Sequence, residues 1–350
     1  MVIIVGAGLS GLLTAYRLKE KGIAFKILEA RSRIGGRINT VSGTNETPIE
    51  MGATWFGDQH QQVISLLKEL DISYFEQYMK GTVFFQPFST SPAQSIQIPS
   101  QPPSYRISGG TSQLINSLYS KLDEKDILLD SAVTSISFND NSVEVRTQNE
   151  LFKADKVILA SPPKLWAKKI TFTPELPADL LDIANHTHTW MEDSIKIALT
   201  YKNAFWEEEN LSGTLFSNTG PIIEFYDHSN HERSKYALCG FINSSFKQLD
   251  GEIRKQKVLD QLKNVFGDKA LDFLDYEECI WSSEENTFVN SSEALFPHQN
   301  NGHPIFGKSY MNDLLFISSA EAASAFPGYM DGAISSANST ATRIICAMQK

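Results

Sequence analysis

The chain has 350 residues, 41% of them hydrophobic, enough to bury one elaborate core or two domains. Its net charge of -10 and pI near 5.3 exclude the clustered cationic surface that phosphate backbones require, so no nucleic-acid partner is expected. No apolar run reaches the length of a membrane span and the first residues lack signal-peptide order, while Cys239, Cys279 and Cys346 are too few and too scattered for a disulfide framework; a cytoplasmic protein with reduced core thiols is expected.

The first thirty residues, "MVIIVGAGLSGLLTAYRLKEKGIAFKILEA", pass from a β-branched apolar run through three glycines into a helical pattern and out into a second strand. This is a βαβ unit for a dinucleotide. Gly6 permits the tight turn, Gly8 lets backbone approach a pyrophosphate, and Gly11 lets the helix pack close to the strand. The helix N-terminus then offers unpaired N–H groups to the phosphates. Glu29 ends the second strand at the offset where a carboxylate meets ribose hydroxyls. Beyond it, "RSRIGGRINT" adds Gly35, Gly36 and a guanidinium, Arg37, suited to a second clamp on a diphosphate; this extension favours FAD over NAD.

A helix is expected over "HQQVISLLKELD", followed from 76 to 103 by a Phe-, Ser-, Gln- and Pro-rich stretch without helical period, a loop or short strand pair. From 185 to 283, runs such as "SIKIALTY", "GTLFSN", "PIIEFYD" and "YALCGFIN", with a helix near 252 to 266, predict a mixed sheet. In "DSIKIALTY" strand alternation puts Ile195, Ile197 and Leu199 on one face and Lys196, Ala198 and Thr200 on the other; on that pattern alone Lys196 would point to water. "FWEEEN" reads as a solvated turn. The pairs His186/His188 and His228/His231 lie in polar, loop-like stretches without further ligands at matching spacing, so no metal is expected. Ala333 to Met348 has helical spacing, with Ala333, Ile334, Ala337, Ala341, Ile344 and Ile345 available for one buried face.

With these segments quoted, the chain resembles the flavin-containing amine oxidase family almost end to end. "VIIVGAGLSGLLTAYRL", "ILEARSRIGGRI" and "IEMGATWFG" match its N-terminal order, and "RISGGTSQLINSL", "ILLDSAVTSISFNDNSVEVRT", "ADKVILASPP" and "LLFISSAEAASAFPGYMDGAISSANSTATRI" match its later cofactor segments. The resemblance implies an α/β fold in which a Rossmann-like, glutathione reductase-type FAD domain (1–75, 104–184 and 284–350) interleaves with a mixed-sheet α+β substrate domain (76–103 and 185–283). It implies FAD contacts at Gly6, Gly8, Leu9, Ser10 and Gly11; at Glu29, Ala30, Arg31, Gly36 and Arg37; and at Gly52, Ala53, Thr54 and Trp55 beside the flavin ring. Further contacts would come from Val133, Ser161, Trp281, Ser319, Glu321, Tyr329 and Met330. Lys196, on a strand followed by "FW" as in the family, would reach flavin N5 through a water, with Tyr329 as the other catalytic side chain.

The expected activity is hydride transfer from an amine-bearing carbon to FAD, with a small-molecule substrate and O2 as an acceptor. Two alternatives stay open at this point: a C–C desaturase of the phytoene desaturase and protoporphyrinogen oxidase type, and a non-catalytic flavin-binding redox sensor or partner subunit. Departures from the family pattern carry their own expectations. The family's Gly-Thr-Glu appears as Ser319-Ala320-Glu321, and its covalent Cys-Tyr falls near Ser291-Ser292, implying noncovalent FAD. Tyr329 then stands as one wall of a half-present aromatic cage, which speaks against simple arylalkylamines. The short 76–103 segment replaces a longer roof, leaving an open pocket or room for a protein partner.

Overall fold

A computed structural model describes residues 1–97, 101–290 and 295–348. The Ser291-Ser292 position therefore lies outside the described residues. In chain order, β1 (Val2–Val5), α1 (Leu9–Glu20) and β2 (Phe25–Leu28) form the expected βαβ unit, followed by α2 (Gln61–Glu69). A hairpin of β3 (Thr82–Gln86) and β4 (Gln94–Ile96) precedes β5 (Ile127–Leu128), β6 (Val133–Phe138) and β7 (Lys156–Leu159). Then come β8 (Ile195–Tyr201), β9 (Leu211–Ser217), β10 (Ile222–Asp227), β11 (Tyr236–Ile242), α3 (Gly251–Phe266) and β12 (Phe273–Ile280). Strand β13 (Leu315–Ile317) and helix α4 (Met330–Met348) close the fold.

Strands β5, β2, β1, β7 and β13 lie in that order in a five-stranded sheet whose pairings are all parallel. Val2 to Val5 are buried throughout, which explains the unbroken apolar run: helices and loops cover both faces of a parallel sheet. Helix α1 packs against α4 through Leu12 and Leu13 on one side and Ala333, Ile334 and Ala337 on the other. A Cβ added at Gly11 would sit 2.0 Å from the Gly6 carbonyl oxygen, so the close helix–strand approach excludes any side chain there.

The second sheet runs β12-β8-β11-β10-β9-β3-β4, antiparallel except for the parallel β9–β3 pairing. On its outer face Ile195, Ile197 and Leu199 pack with Val258, Leu262 and Phe266 of α3. On the other face Ala198 packs with Ile49, Met51 and Cys239, so this sheet is covered on both sides. Lys196 therefore cannot reach bulk water and is only 2% exposed, overturning the solvent-facing expectation.

Smaller corrections follow from packing. Helix α4 begins at Met330, three residues before the apolar spacing announces it, and Ile345 is half-buried rather than part of the buried face. In "FWEEEN", Phe205 and Trp206 are core residues while Glu207, Glu208 and Glu209 are exposed and pair with Arg233 and Lys269. His228 is buried at the end of β10 instead of lying in a polar loop, with its ring edge-to-face against Trp55. Cys239 is a buried thiol, but Cys346 is exposed. No described helix is long and apolar enough to cross a membrane.

Candidate active site

One cavity of about 510 Å³ opens along the carboxyl ends of β1 and β2 and continues to the inner face of the mixed sheet. Gly6, Gly8, Leu9 and Ser10 line it where β1 turns into α1. Gly6 holds φ +110°, a conformation open to glycine, and a Cβ at Gly8 would meet no atom within 4 Å, so the backbone there faces free space. Helix α1 starts without a capping side chain, leaving its first-turn N–H groups directed at that space. A Cβ added at Gly36 would come within 3.3 Å of the Gly8 Cα, so the second glycine turn packs close to the first only without a side chain.

Glu29 is 4% exposed, and its two oxygens accept hydrogen bonds from the backbone N–H of Ala7 at 2.7 Å and of Arg31 at 2.9 Å. The carboxylate is thus oriented by backbone while one lone pair on each oxygen stays available to a ribose. Glu29→Gln, which keeps shape but loses charge and one acceptor, is expected to weaken FAD binding by about tenfold, measured by fluorescence titration of apoprotein. Unchanged affinity would contradict the assignment. Ala30 and Val133 line the same end of the cavity. Arg31 contributes its backbone, but its guanidinium turns to the Asn286 carbonyl, Thr287 Oγ1 and Glu284, holding segment 284–287 against the cavity wall.

Arg37 also lines the cavity and pairs with the fully buried Glu321: Nη2 donates to Oε2 at 3.1 Å, and Nη1 lies 2.6 Å from Oε1 without alignment for a hydrogen bond. Glu321 therefore faces Arg37 and does not itself line the cavity. Gly11 and Ser319 likewise stand behind the wall, Gly11 as a packing point and Ser319 buried with its hydroxyl unpartnered among the described residues. Ser161 and Met330 line the cavity, as does Trp281, whose Nε1 donates to the Met51 carbonyl at 2.8 Å.

Gly52, Ala53, Thr54 and Trp55 form the wall next to Lys196. A Cβ on Gly52 would lie 2.2 Å from the Arg37 carbonyl oxygen, so this turn packs backbone on backbone. Lys196 Nζ donates to the Gly52 carbonyl at 3.0 Å and to Thr54 Oγ1 at 2.7 Å, between the rings of Trp55 at 4.5 Å and Phe241 at 4.7 Å. Burial pulls the ammonium below its ordinary pKa of 10.5, an effect partly offset by Cys239 and by the carboxylates of Glu50 and Glu224. An ammonium has three donors, and Lys196 spends two on the wall.

Tyr329 faces the cavity with more aromatic company than the sequence suggested. Its ring lies 5.4 Å from Trp190 and 5.8 Å from His60, and Trp190 in turn stacks on His298 at 3.9 Å. Trp190, from the loop before β8, thus adds a second aromatic ring to the cavity wall beside Tyr329, the two rings packing against each other. Sequence reading missed Trp190, His60, Phe241 and Glu224, all of which line the cavity. For Phe241 and Glu224 alternation along their strands was an available signal; Trp190 sits in a loop with no motif.

The cavity fits a dinucleotide: an uncapped helix start, a glycine with open space beside it and a half-used carboxylate all call for a polar, elongated occupant. Among the described residues no group of three or more His, Cys, Asp or Glu is placed to hold a metal. Fold and site together define a dinucleotide-binding protein. The chain belongs to the family described as flavin containing amine oxidoreductase, whose model matches residues 9–94 and 89–345. It is an enzyme family with FAD as its cofactor, and the chain is an FAD-dependent oxidoreductase.

Among relatives, a probable flavin-containing monoamine oxidase A of Dictyostelium discoideum is 24% identical, the match covering 96% of this chain and 95% of the relative. A flavin-containing amine oxidase of Danio rerio is also 24% identical, over 100% of this chain and 86% of its own. In fold, the chain resembles a putrescine oxidase solved with putrescine bound (TM-score 0.85, 23% identity, 99% of this chain and 98% of that one). A cyclohexylamine oxidase from Brevibacterium oxydans gives a TM-score of 0.86 at 18% identity, covering 100% and 99%.

Proposed function

We propose that the chain oxidises a small amine in the part of the cavity bounded by Lys196, Trp55, Phe241, Trp190 and Tyr329. Bound FAD would supply the electron-accepting chemistry, taking a hydride from the amine-bearing carbon. The observation that carries this reading is the buried Lys196 ammonium, fixed by two hydrogen bonds and two aromatic faces with a third N–H left for a water or substrate atom. Its lowered pKa suits it to hold and release a proton at Nζ. Trp190 and Tyr329 orient the amine and exclude water from one side. The segments 1–75, 104–184 and 284–350 would hold the cofactor, and 76–103 and 185–283 the substrate. A relative named monoamine oxidase and a fold neighbour holding putrescine support an amine over a C–C substrate.

The test is anaerobic titration of the yellow holoprotein with amines, amino acids and unsaturated ring compounds. Bleaching of the flavin band by amines alone is expected; bleaching by a polyene or porphyrinogen alone would replace the reading. Admitting O2 should restore the colour, in keeping with O2 as acceptor. Because the family's covalent Cys-Tyr falls near Ser291-Ser292 in this sequence, acid precipitation is expected to release the flavin to the supernatant. Colour retained in the pellet would count against noncovalent binding. The cysteines, free among the described residues, fit a reducing, cytoplasmic site of action.

A further inference from the structure

We infer, resting on the amine reading above, that Glu224 is the binding site for a second positive group and that the favoured substrates are diamines. The mixed sheet carries a transverse row of facing residues: Lys196 of β8 pairs with Phe241 of β11, Phe241 with Glu224 of β10, and Glu224 with Phe216 of β9. Paired residues share a sheet face, and strands lie about 4.8 Å apart, so the Lys196 and Glu224 backbones are separated by roughly 10 Å across that face. Lys196, Phe241 and Glu224 line the cavity, whereas Phe216 does not. Glu224 is therefore where the cavity ends along this row.

The carboxylate there is held but not neutralised. Oε2 accepts a hydrogen bond from the Tyr226 hydroxyl at 3.0 Å, and among the described residues Oε1 accepts none. Tyr226 is itself fixed edge-to-face against Trp55 at 5.2 Å and Phe216 at 5.8 Å, so the carboxylate has a rigid, aromatic support. No Lys or Arg among the described residues forms an ion pair with Glu224, and Lys196 is committed to Gly52 and Thr54. The two other carboxylates in the cavity wall are engaged by backbone: Glu29 by Ala7 and Arg31, and Asp331 by the N–H groups of Gln62 and Val63. A half-buried carboxylate at the end of an aromatic-floored channel gains most from a cation that the protein does not provide. Phe241 between the two charges offers the apolar floor an alkyl linker needs. A linear diamine meets all three requirements: one amine near Lys196 and Tyr329, a methylene chain over Phe241, and an ammonium on Glu224.

The experiment compares kcat/KM of the holoenzyme for a homologous series of α,ω-diaminoalkanes with that for n-alkylamines of matching length. Wild type is expected to favour the diamine by about tenfold or more at one optimal chain length, the preference residing in KM. Glu224→Gln should abolish that preference, and Glu224→Asp, which withdraws the carboxylate by one methylene, should move the optimum to a longer diamine. FAD content read from the visible spectrum checks that each variant is folded. Equal or better turnover of n-alkylamines by wild type, a rate that simply climbs with chain length, or a diamine preference surviving in Glu224→Gln would each overturn the inference and leave the amine reading standing. Failure of every amine to bleach the flavin would overturn both.

Discussion

Lys196→Met is expected to lower amine turnover by about a hundredfold, the usual scale for removing a positioned proton-transfer group, while FAD content stays at the wild-type level. Methionine retains the apolar stem between Trp55 and Phe241 but removes the ammonium held between them. Stopped-flow measurement of flavin reduction by amine and of reoxidation by O2 assigns the loss to one half-reaction; wild-type rates in both would remove Lys196 from the mechanism. Stability should move the other way. Burial lowers the folded-state pKa beneath the ordinary 10.5, so the folded chain binds fewer protons at this site than the unfolded chain. This contribution makes wild-type stability rise with pH from the folded-state value up to about 10.5. The methionine variant lacks that slope, so its advantage in urea melts should be present at neutral pH and shrink as pH climbs through the window.

Arg37→Met is expected to cost about 3 to 5 kcal/mol, because it leaves Glu321, fully buried, as an unpaired charge. The substitution also removes the guanidinium from the cavity wall and a hydrogen bond to the Trp190 carbonyl at 3.3 Å. Urea unfolding of the double variant Arg37→Met with Glu321→Met separates the two roles. Stability should largely return once the orphaned carboxylate is gone. FAD affinity should remain low if the guanidinium is itself a diphosphate clamp. Restored affinity in the double variant would instead reduce Arg37 to a counter-ion for Glu321.

Legibility in the sequence followed the range of each interaction. The βαβ turn was readable because Gly6, Gly8, Gly11 and Glu29 act within one local unit whose periodicity is itself the signal. The strand alternation of β8 was readable too, but its consequence for Lys196 was not. Whether that face meets water depends on segment 49–54, which packs onto it from the other end of the sequence. Trp190 was missed because it lies in a loop and becomes a cavity wall only when Tyr329, 139 positions later, is brought to 5.4 Å.

Composition, local periodicity and the glycine spacing determined by themselves that this chain builds a parallel nucleotide-binding sheet and a separate mixed sheet, since those signals arise from hydrogen bonds and side-chain alternation between near neighbours. The tertiary structure alone decided which polar side chains face one another across the cavity. Lys196 obtained its carbonyl and hydroxyl partners 144 and 142 positions away, Arg37 its carboxylate 284 positions away, and Glu224 was left with an oxygen that no described protein donor reaches. Those pairings depend on how two sheets from interleaved stretches of chain dock, and no local pattern encodes the distance between them.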